Sequence, residues 1–136
     1  MGKAILLEIV TPDRLLVSEK AEDITAPGFG GEFGVLPGHT SFLATLNPGE
    51  ISYKSVSGNR KYLSISWGYV EVRPEKVIIL ANTAERSEEI DLARAQNAFK
   101  RAEERLKTRT ADINVERAEI ALARALARIQ VVARKE

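Results

Sequence analysis

Before Ala84 the chain alternates apolar and polar residues with a period of two, the pattern of β-strands that bury one face. In the segment "RKYLSISWGYVEVRP" successive alternate positions are apolar: Leu63, Ile65 and Trp67. We therefore expect these side chains to face the interior of a sheet. The dipeptide Gly58-Asn59 precedes this strand and is typical of a hairpin turn, because both residues accept positive φ angles.

Short strands with related patterns are predicted throughout this first part, most of them next to a glycine or proline: Ala4–Val10, Arg14–Ser18, Ala21–Ala26, Glu32–Val35, Ser41–Leu46, Glu50–Val56, Gly68–Val72 and Lys76–Ala81. All nine glycines and all five prolines of the chain fall in this part. Many short strands with frequent turns are typical of an antiparallel sandwich or a flattened barrel.

After Ala84 the pattern becomes helical, and glycine and proline are absent. Ser87 can cap a first helix, since the acidic residues that follow it suit the positive end of the helix dipole. This helix is predicted to run to about Lys107. The segment "TRTADIN" then interrupts it, with Asp112 or Asn114 as the cap of a second helix.

Each helix has one apolar stripe that is rich in alanine. The first helix contributes Ala95, Ala98, Phe99, Ala102 and Leu106. The second contributes Ala118, Leu122, Ala125, Ile129 and Val132. Small side chains let two helices approach closely as an antiparallel hairpin, but they bury little apolar area, at about 25 cal/mol per Å². A weakly held hairpin is a candidate for movement.

The composition excludes several classes of function. The chain has no cysteine and one histidine, so we expect neither thiolate chemistry nor a metal site. A net charge of +1 gives no global attraction to nucleic acid. Glu8 interrupts the apolar run of "MGKAILLEIV", so we expect no signal peptide, and no stretch is long enough to span a membrane. A basic cluster lies near the C-terminus: Arg124, Arg128, Arg134 and Lys135.

The stretch "GGEFGVLPGHTSFLATLNPGEI" is rich in glycine and holds His39. A phosphate-binding loop is disfavoured, because no glycine precedes a Lys-Ser/Thr pair. A dinucleotide fingerprint starting at Gly28 fails at Phe33, which stands in place of the third glycine. A serine and a glutamate lie near His39, but nothing marks a nucleophile elbow. We therefore favour a structural role for His39 over a catalytic one.

The segment "APGFGGEFGVLPGHTSFLATLNPGEI" resembles the signature of the epsilon subunits of bacterial F-type ATP synthases, the counterparts of the mitochondrial delta subunits. The family pattern is G-E-[LF]-G-[IV]-L-P-G-H-x-[PS]-[LF], followed by P-G-x-[IV]. The resemblance continues through "YLSISWGYVEVRPEKVIILANTAER" and "EEIDLARAQNAFKRAEERL", so it covers nearly the whole chain. One departure is Ser41-Phe42, where the family more often has Pro-Leu; the apolar position is kept.

The resemblance implies a fold and a role. Residues 1–84 would form an all-β sandwich of about ten strands that docks on the rotor, and residues 85–136 a regulatory helix-turn-helix. The protein would be a non-catalytic central-stalk subunit of a proton-translocating enzyme, peripheral on the cytoplasmic face of the inner membrane. Its partners would be the gamma subunit and the c-subunit ring, with Glu32 and His39 on the edge that faces the ring.

The resemblance also implies a regulatory ATP site, although no cofactor would be required. ATP-binding relatives carry an [IL]-D-x-x-R-A motif, which is intact here. The full set of matching positions is Glu85, Ile90, Asp91, Arg94, Ala95, Arg101, Arg124 and Arg128. Asp91 and Arg94 share a helical face, and several guanidinium groups suit phosphates. The alternative is a local Asp91–Arg94 ion pair on a solvated face.

Family members switch between a compact hairpin and an extended one that meets an acidic segment of the catalytic beta subunits and blocks ATP hydrolysis. The residues suited to that contact are Arg117, Arg124, Arg128, Arg134 and Lys135. If ATP binds only the compact form, high ATP favours that form by differential affinity. The alternative functions are a free-standing ATP-binding sensor and an enzyme that uses His39.

Overall fold

The computed structural model describes residues 3–38, 40–108 and 114–134. Its elements, in chain order, are β1 (Ile5–Val10), β2 (Leu15–Gly28), β3 (Gly31–Val35), β4 (Phe42–Leu46), β5 (Gly49–Ser55), β6 (Arg60–Val72), β7 (Lys76–Arg86), the 3₁₀ turn Ser87–Glu89, α1 (Leu92–Thr108) and α2 (Val115–Ala133). The prediction of a β-sandwich followed by a helical hairpin is confirmed.

The sheet closes on itself. β1 pairs with β7, β7 with β6, β6 with β5, β5 with β2, and β2 again with β1. β4 pairs with β6 and touches β2, and β3 lies at an edge, paired with β2. All of these pairings are antiparallel except β1–β7, which is parallel and departs from the expected pattern. The result is the flattened, closed form of a sandwich.

The described residues form seven strands rather than about ten, because three strands are long enough to serve two partners or two predicted segments. The predicted strands Arg14–Ser18 and Ala21–Ala26 are one strand, β2. Its first half pairs with β1 and its second half with β3 and β5. β6 likewise pairs with β5 and then with β4. β7 runs past Ala81, where the prediction ended, to Arg86.

β6 changes partners at a corner around Trp67, whose φ angle is 51°. Leu63 and Ile65 are buried as expected, but Trp67 is 40% exposed, so its predicted inward orientation is wrong. The left-handed backbone at Trp67 shifts the alternation, and Val70 and Val72 point inward beyond the corner. Gly68 completes the corner, since a Cβ atom there would collide with the carbonyl oxygen of Leu80.

The hydrophobic core is built by the strands. Its fully buried side chains come from all seven strands, and none of its members lies beyond Ala84 in the described chain. The helices bury a separate set of mostly alanine side chains: Ala95, Ala102, Ala118, Ala125, Ala127 and Val131. The hairpin is therefore a second layer outside the sandwich core.

The helix starts differ from the prediction at one end and agree at the other. Ser87 begins a 3₁₀ turn instead of capping α1. Asp91 takes that role, because its Oδ1 accepts a hydrogen bond of 3.1 Å from the backbone N–H of Arg94. Asn114 caps α2 by accepting from the backbone N–H of Arg117 at 3.0 Å. The alternative cap, Asp112, lies outside the described residues.

Candidate functional site

The sandwich meets the hairpin along one side of α2. α2 packs on β5 and β6, whereas α1 packs on α2. The side chains that α2 buries, against the sandwich or against α1, are three alanines and, near its end, Val131, which is fully buried. Such small side chains remove little apolar area from water. We call this contact the seam, meaning α2 together with the parts of β5, β6 and β7 that it faces.

An ion pair crosses the seam between Arg128, in the second half of α2, and Glu85, near the end of β7. Arg128 Nε donates to Glu85 Oε1 at 2.7 Å, and roughly a third of each side chain is exposed. The two residues are 43 positions apart, so only the folded hairpin brings them together. The two Nη nitrogens of Arg128 make no hydrogen bond to a described residue, which leaves four N–H donors free.

A second contact closes the seam at the end of α2. Arg134 donates from Nε and Nη2 to the two carboxylate oxygens of Glu50, at 3.2 and 3.3 Å. The same guanidinium lies over the ring of Tyr62, with 5.5 Å between Cζ and the ring centroid. Arg134 therefore contacts both Glu50 and Tyr62 of the sandwich, while 53% of its side chain stays exposed.

A polar cavity of about 470 Å³ lies beside this second contact, and Arg134, Tyr62 and Glu19 are among the residues that line it. Glu19 accepts hydrogen bonds from Tyr53 at 2.5 Å, and from Ser55 and Lys61 at 2.9 Å each. Burial alone would raise the pKa of Glu19, but these hydrogen bonds outweigh it and lower the pKa. Burial and the neighbouring carboxylate raise the pKa of Tyr53. The polar groups of Glu19 and Tyr53 in the cavity wall therefore have hydrogen-bond partners within the sandwich.

The chain entering the hairpin is anchored at Glu89. Its carboxylate accepts from both the backbone N–H of Arg86, at 2.9 Å, and the guanidinium of Arg14, at 2.8 and 3.0 Å. The hydrogen bond from Arg86 and the pairing with Arg14 lower the pKa of Glu89, against the raising effect of burial. The anchor joins the start of the hairpin to the turn between β1 and β2.

The residues predicted to bind ATP fall into two groups. Asp91, Arg94 and Arg101 line one open groove of about 650 Å³ along α1. Glu85 and Arg128 meet separately at the seam. Arg124, on α2, is half-buried and lines neither that groove nor the polar cavity.

The remaining members of the predicted set have other surroundings. Ala95 is buried within the hairpin, and Ile90 is half-buried before α1. Asp91 and Arg94 form no side-chain ion pair, since the Asp91 carboxylate caps the helix instead. Within the described residues, the guanidinium groups of Arg94, Arg101 and Arg124 have no carboxylate partner.

The residues of the predicted inhibitory face have different surroundings in the structure. Arg117 is exposed at the start of α2, and its guanidinium has no described ion-pair partner. Arg128 and Arg134 are held by the sandwich, as described above. Lys135 lies outside the described residues.

The glycine-rich edge is open to solvent. Glu32 lies on β3, the edge strand, and is exposed. Leu36, just beyond β3, is 62% exposed. His39 lies outside the described residues. A charged residue and a bare apolar side chain on one free edge are suited to a protein contact.

Sequence reasoning missed an apolar groove of about 750 Å³ beside the middle of β6 and β7. Its walls include Phe29, Trp67, Tyr69 and Leu80, and Phe29 is 76% exposed. The signal in the sequence was "WGY", which places one aromatic residue on each side of a glycine. An apolar patch of this kind is suited to a contact with another protein.

Two family models match consecutive parts of the chain. The model described as the beta-sandwich domain of the ATP synthase delta/epsilon chain matches residues 4–87. The model described as the long alpha-helix domain of the same chain matches residues 88–133. Together they span nearly the whole sequence.

Curated relatives match over similar lengths. The ATP synthase epsilon chain 2 of Syntrophotalea carbinolica is 49% identical over 135 residues, which is 98% of this chain and 97% of the relative. The ATP synthase epsilon chain of Desulforapulum autotrophicum is 46% identical over 132 residues, covering 97% and 98%.

Solved structures give the same result. A chain in the Euglena gracilis mitochondrial ATP synthase, in an assembly of OSCP, F1 and c-ring, superposes with a TM-score of 0.82 at 26% identity, covering 96% of this chain and 81% of that one. A chain of the Tetrahymena thermophila central stalk and c-ring shares the fold, with a TM-score of 0.61 at 15% identity. Neither helix in the described ranges is long and apolar enough to cross a membrane.

The cap role of Asp91 generates a prediction. Asp91→Ala removes the acceptor for the Arg94 amide and should destabilise α1 by about 0.5–2 kcal/mol, whereas Asp91→Asn should retain most of the stability. Hydrogen exchange at the Arg94 amide, together with helical circular dichroism on heating, measures the effect. Glu103→Ala, an exposed change in the middle of α1, is the control. Equal losses for the alanine and asparagine variants would contradict the cap.

Proposed function

The chain belongs to the ATP synthase delta/epsilon family and is a non-catalytic subunit of the central stalk, and from this premise we propose that its sandwich couples the catalytic head to the c-ring while its hairpin restrains ATP hydrolysis. The observation that carries the regulatory part is the position of the hairpin, outside the sandwich core and held by alanine contacts and ion pairs. Since the subunit is non-catalytic, a catalytic role for His39 is not retained.

The two exposed surfaces of the sandwich support a docking role at two partners. The apolar groove around Tyr69 and Leu80 suits the gamma subunit, because a stable shaft contact needs buried apolar area. The edge with Glu32 suits the polar loops of the c-ring, to which Glu32 offers an unpaired charge within the described chain. A free-standing sensor would have no use for these surfaces.

The basic residues of α2 support inhibition. Arg117 and Arg124 are not paired with any described carboxylate, and Arg128 and Arg134 become available when the hairpin leaves the sandwich. In the extended form these guanidinium groups would meet the acidic segment of a catalytic beta subunit. Such contacts hold a rotor in place when they are desolvated in an interface.

The groove on α1 supports ATP as a regulatory ligand of the compact form. Arg94 and Arg101 line it without carboxylate partners, so their donors are free for phosphate oxygens. ATP would then stabilise the compact hairpin by mass action and relieve inhibition when ATP is plentiful.

In the assembled enzyme the subunit would be peripheral, at the cytoplasmic face of the inner membrane, in a proton-translocating complex. It would reach the membrane through its protein partners.

Docking through the groove is tested by a charge placed inside it. Tyr69→Asp should weaken binding of the whole chain to the rest of the complex by about tenfold or more, because it puts a carboxylate into a buried apolar contact. Val56→Asp is the matched control, an exposed apolar residue that does not line the groove. The affinity of each variant is measured by titrating it into the complex that lacks this subunit. Equal affinities of the Tyr69→Asp and Val56→Asp chains would refute docking through the groove.

Inhibition is tested by ATP hydrolysis of the reconstituted complex at low ATP. Arg117→Gln removes one proposed contact to the acidic segment and should raise hydrolysis up to about fivefold, as expected for one ion pair of about 1 kcal/mol. Lys107→Gln, an exposed basic residue at the end of α1, should leave the rate unchanged. If the complex hydrolyses ATP at the same rate with either variant, and with or without the hairpin, the inhibitory role is wrong.

ATP sensing is tested on the isolated full-length chain by calorimetric titration. Arg94→Ala and Arg101→Ala should each weaken ATP binding by about tenfold or more, because each removes a guanidinium group that lines the groove. Lys107→Ala should bind as the parent chain does. An absence of saturable binding, or binding indifferent to both arginine changes, would remove the sensor and leave the central-stalk role standing.

A further inference from the structure

We propose that Arg128 and Arg134 form a salt-sensitive latch that holds the hairpin on the sandwich without nucleotide, through Glu85 and Glu50. We use the term latch for these two ion pairs together with the stacking of Arg134 on Tyr62. The proposal rests on the movable hairpin of the proposed function and names the contacts that set its resting position.

Most of the fully buried side chains of α2 are small. α1 packs on α2, so the hairpin contacts the sandwich mainly through α2. The described part of α2 buries three alanines and Val131, with larger apolar side chains such as Leu122 and Ile129 half-buried, and the sandwich keeps most of its large apolar side chains in its own core. Specific position along the seam must therefore come from directional contacts, which the two guanidinium groups supply.

Of the two carboxylates of the latch, Glu85 pairs with Arg128 on α2, and Glu50 pairs with Arg134 at the C-cap of α2. Of the other charged groups around the polar cavity, Lys61 pairs with Glu19 at 2.9 Å and Arg60 with Asp23 at 2.6 Å. These pairs lie within the sandwich and persist when the hairpin leaves. Glu50, by contrast, has its side chain largely buried and would lose its cation. The cost of that loss opposes opening.

The pivot for opening is short. Glu89 fixes the end of the 3₁₀ turn to Arg14, and α1 starts at Leu92. Ile90 and Asp91 lie between the anchor and the helix, so release of the latch would let the hairpin turn about these two residues. The sandwich side of the pivot stays anchored throughout.

The latch also competes with the inhibitory contact. Arg128 and Arg134 are members of the basic face proposed to meet an acidic partner. In the compact form each gives its Nε donor to a sandwich carboxylate, and the extended form would have to replace these bonds. The strength of the latch therefore contributes to the free energy difference between the two forms.

The latch is tested on the nucleotide-free, full-length chain by distance measurements between two labels. Because the chain has no cysteine, Val56→Cys in the sandwich and Gln130→Cys on α2 provide unique labelling sites at exposed positions. In this background, Glu50→Gln and Glu85→Gln should each raise the ratio of open to compact molecules about two- to fivefold. Raising the salt from about 0.05 M to about 1 M should raise the same ratio in the parent chain.

Matched variants separate the latch from general effects on the sandwich. Glu8→Gln removes an ion pair of 3.1 Å with Lys76 inside the sandwich and should leave the distance distribution unchanged. The double reversal Glu50→Arg with Arg134→Glu should restore the compact population that Arg134→Glu alone loses. The latch is wrong if the distance distribution of the parent chain does not change with salt and both latch variants give the distribution of the Glu8→Gln control. That failure is distinct from failure of the inhibitory role, which hydrolysis by the complex decides.

Discussion

Closure of the sheet is the constraint on which the rest of the structure depends. Because β1 pairs with both β2 and β7, the strands enclose their own core without any contribution from the described residues of the helices. A hairpin added to such a body has to attach by small side chains and surface ion pairs. Its separate layer, its alanine stripes and its charged seam all follow from that one fact.

β6 contributes to both the seam and the apolar groove. The first half of β6 pairs with β5 and presents Tyr62 to the end of α2. The second half pairs with β4, and its Tyr69 lines the apolar groove. The corner at Trp67 separates the two, so the side proposed to grip the shaft remains intact whatever the hairpin does. Attachment and regulation can thus be independent properties of one small subunit.

The sequence predicted what depends on local pattern and missed what depends on distant neighbours. Alternation found Leu63 and Ile65, and capping chemistry offered Asn114, which caps α2, as one of two candidates. Trp67 was placed on the wrong face, because a left-handed residue inside a strand leaves no periodic signal. The pairing of Arg134 with Glu50 joins residues 84 positions apart, which no spacing rule reveals. The roles predicted for the arginines stay predictions, and their partners in the folded hairpin required the fold.

Native-state hydrogen exchange of the full-length chain tests the two-layer account most directly. If the hairpin is a separate layer, amides of α1 and α2 exchange through a shared opening that costs less free energy than the opening of β1, β5 and β7. Added salt then lowers the protection of the helices and leaves that of the strands unchanged. Exchange of helices and strands in one cooperative unit, with a single opening free energy at every salt concentration, would contradict the account.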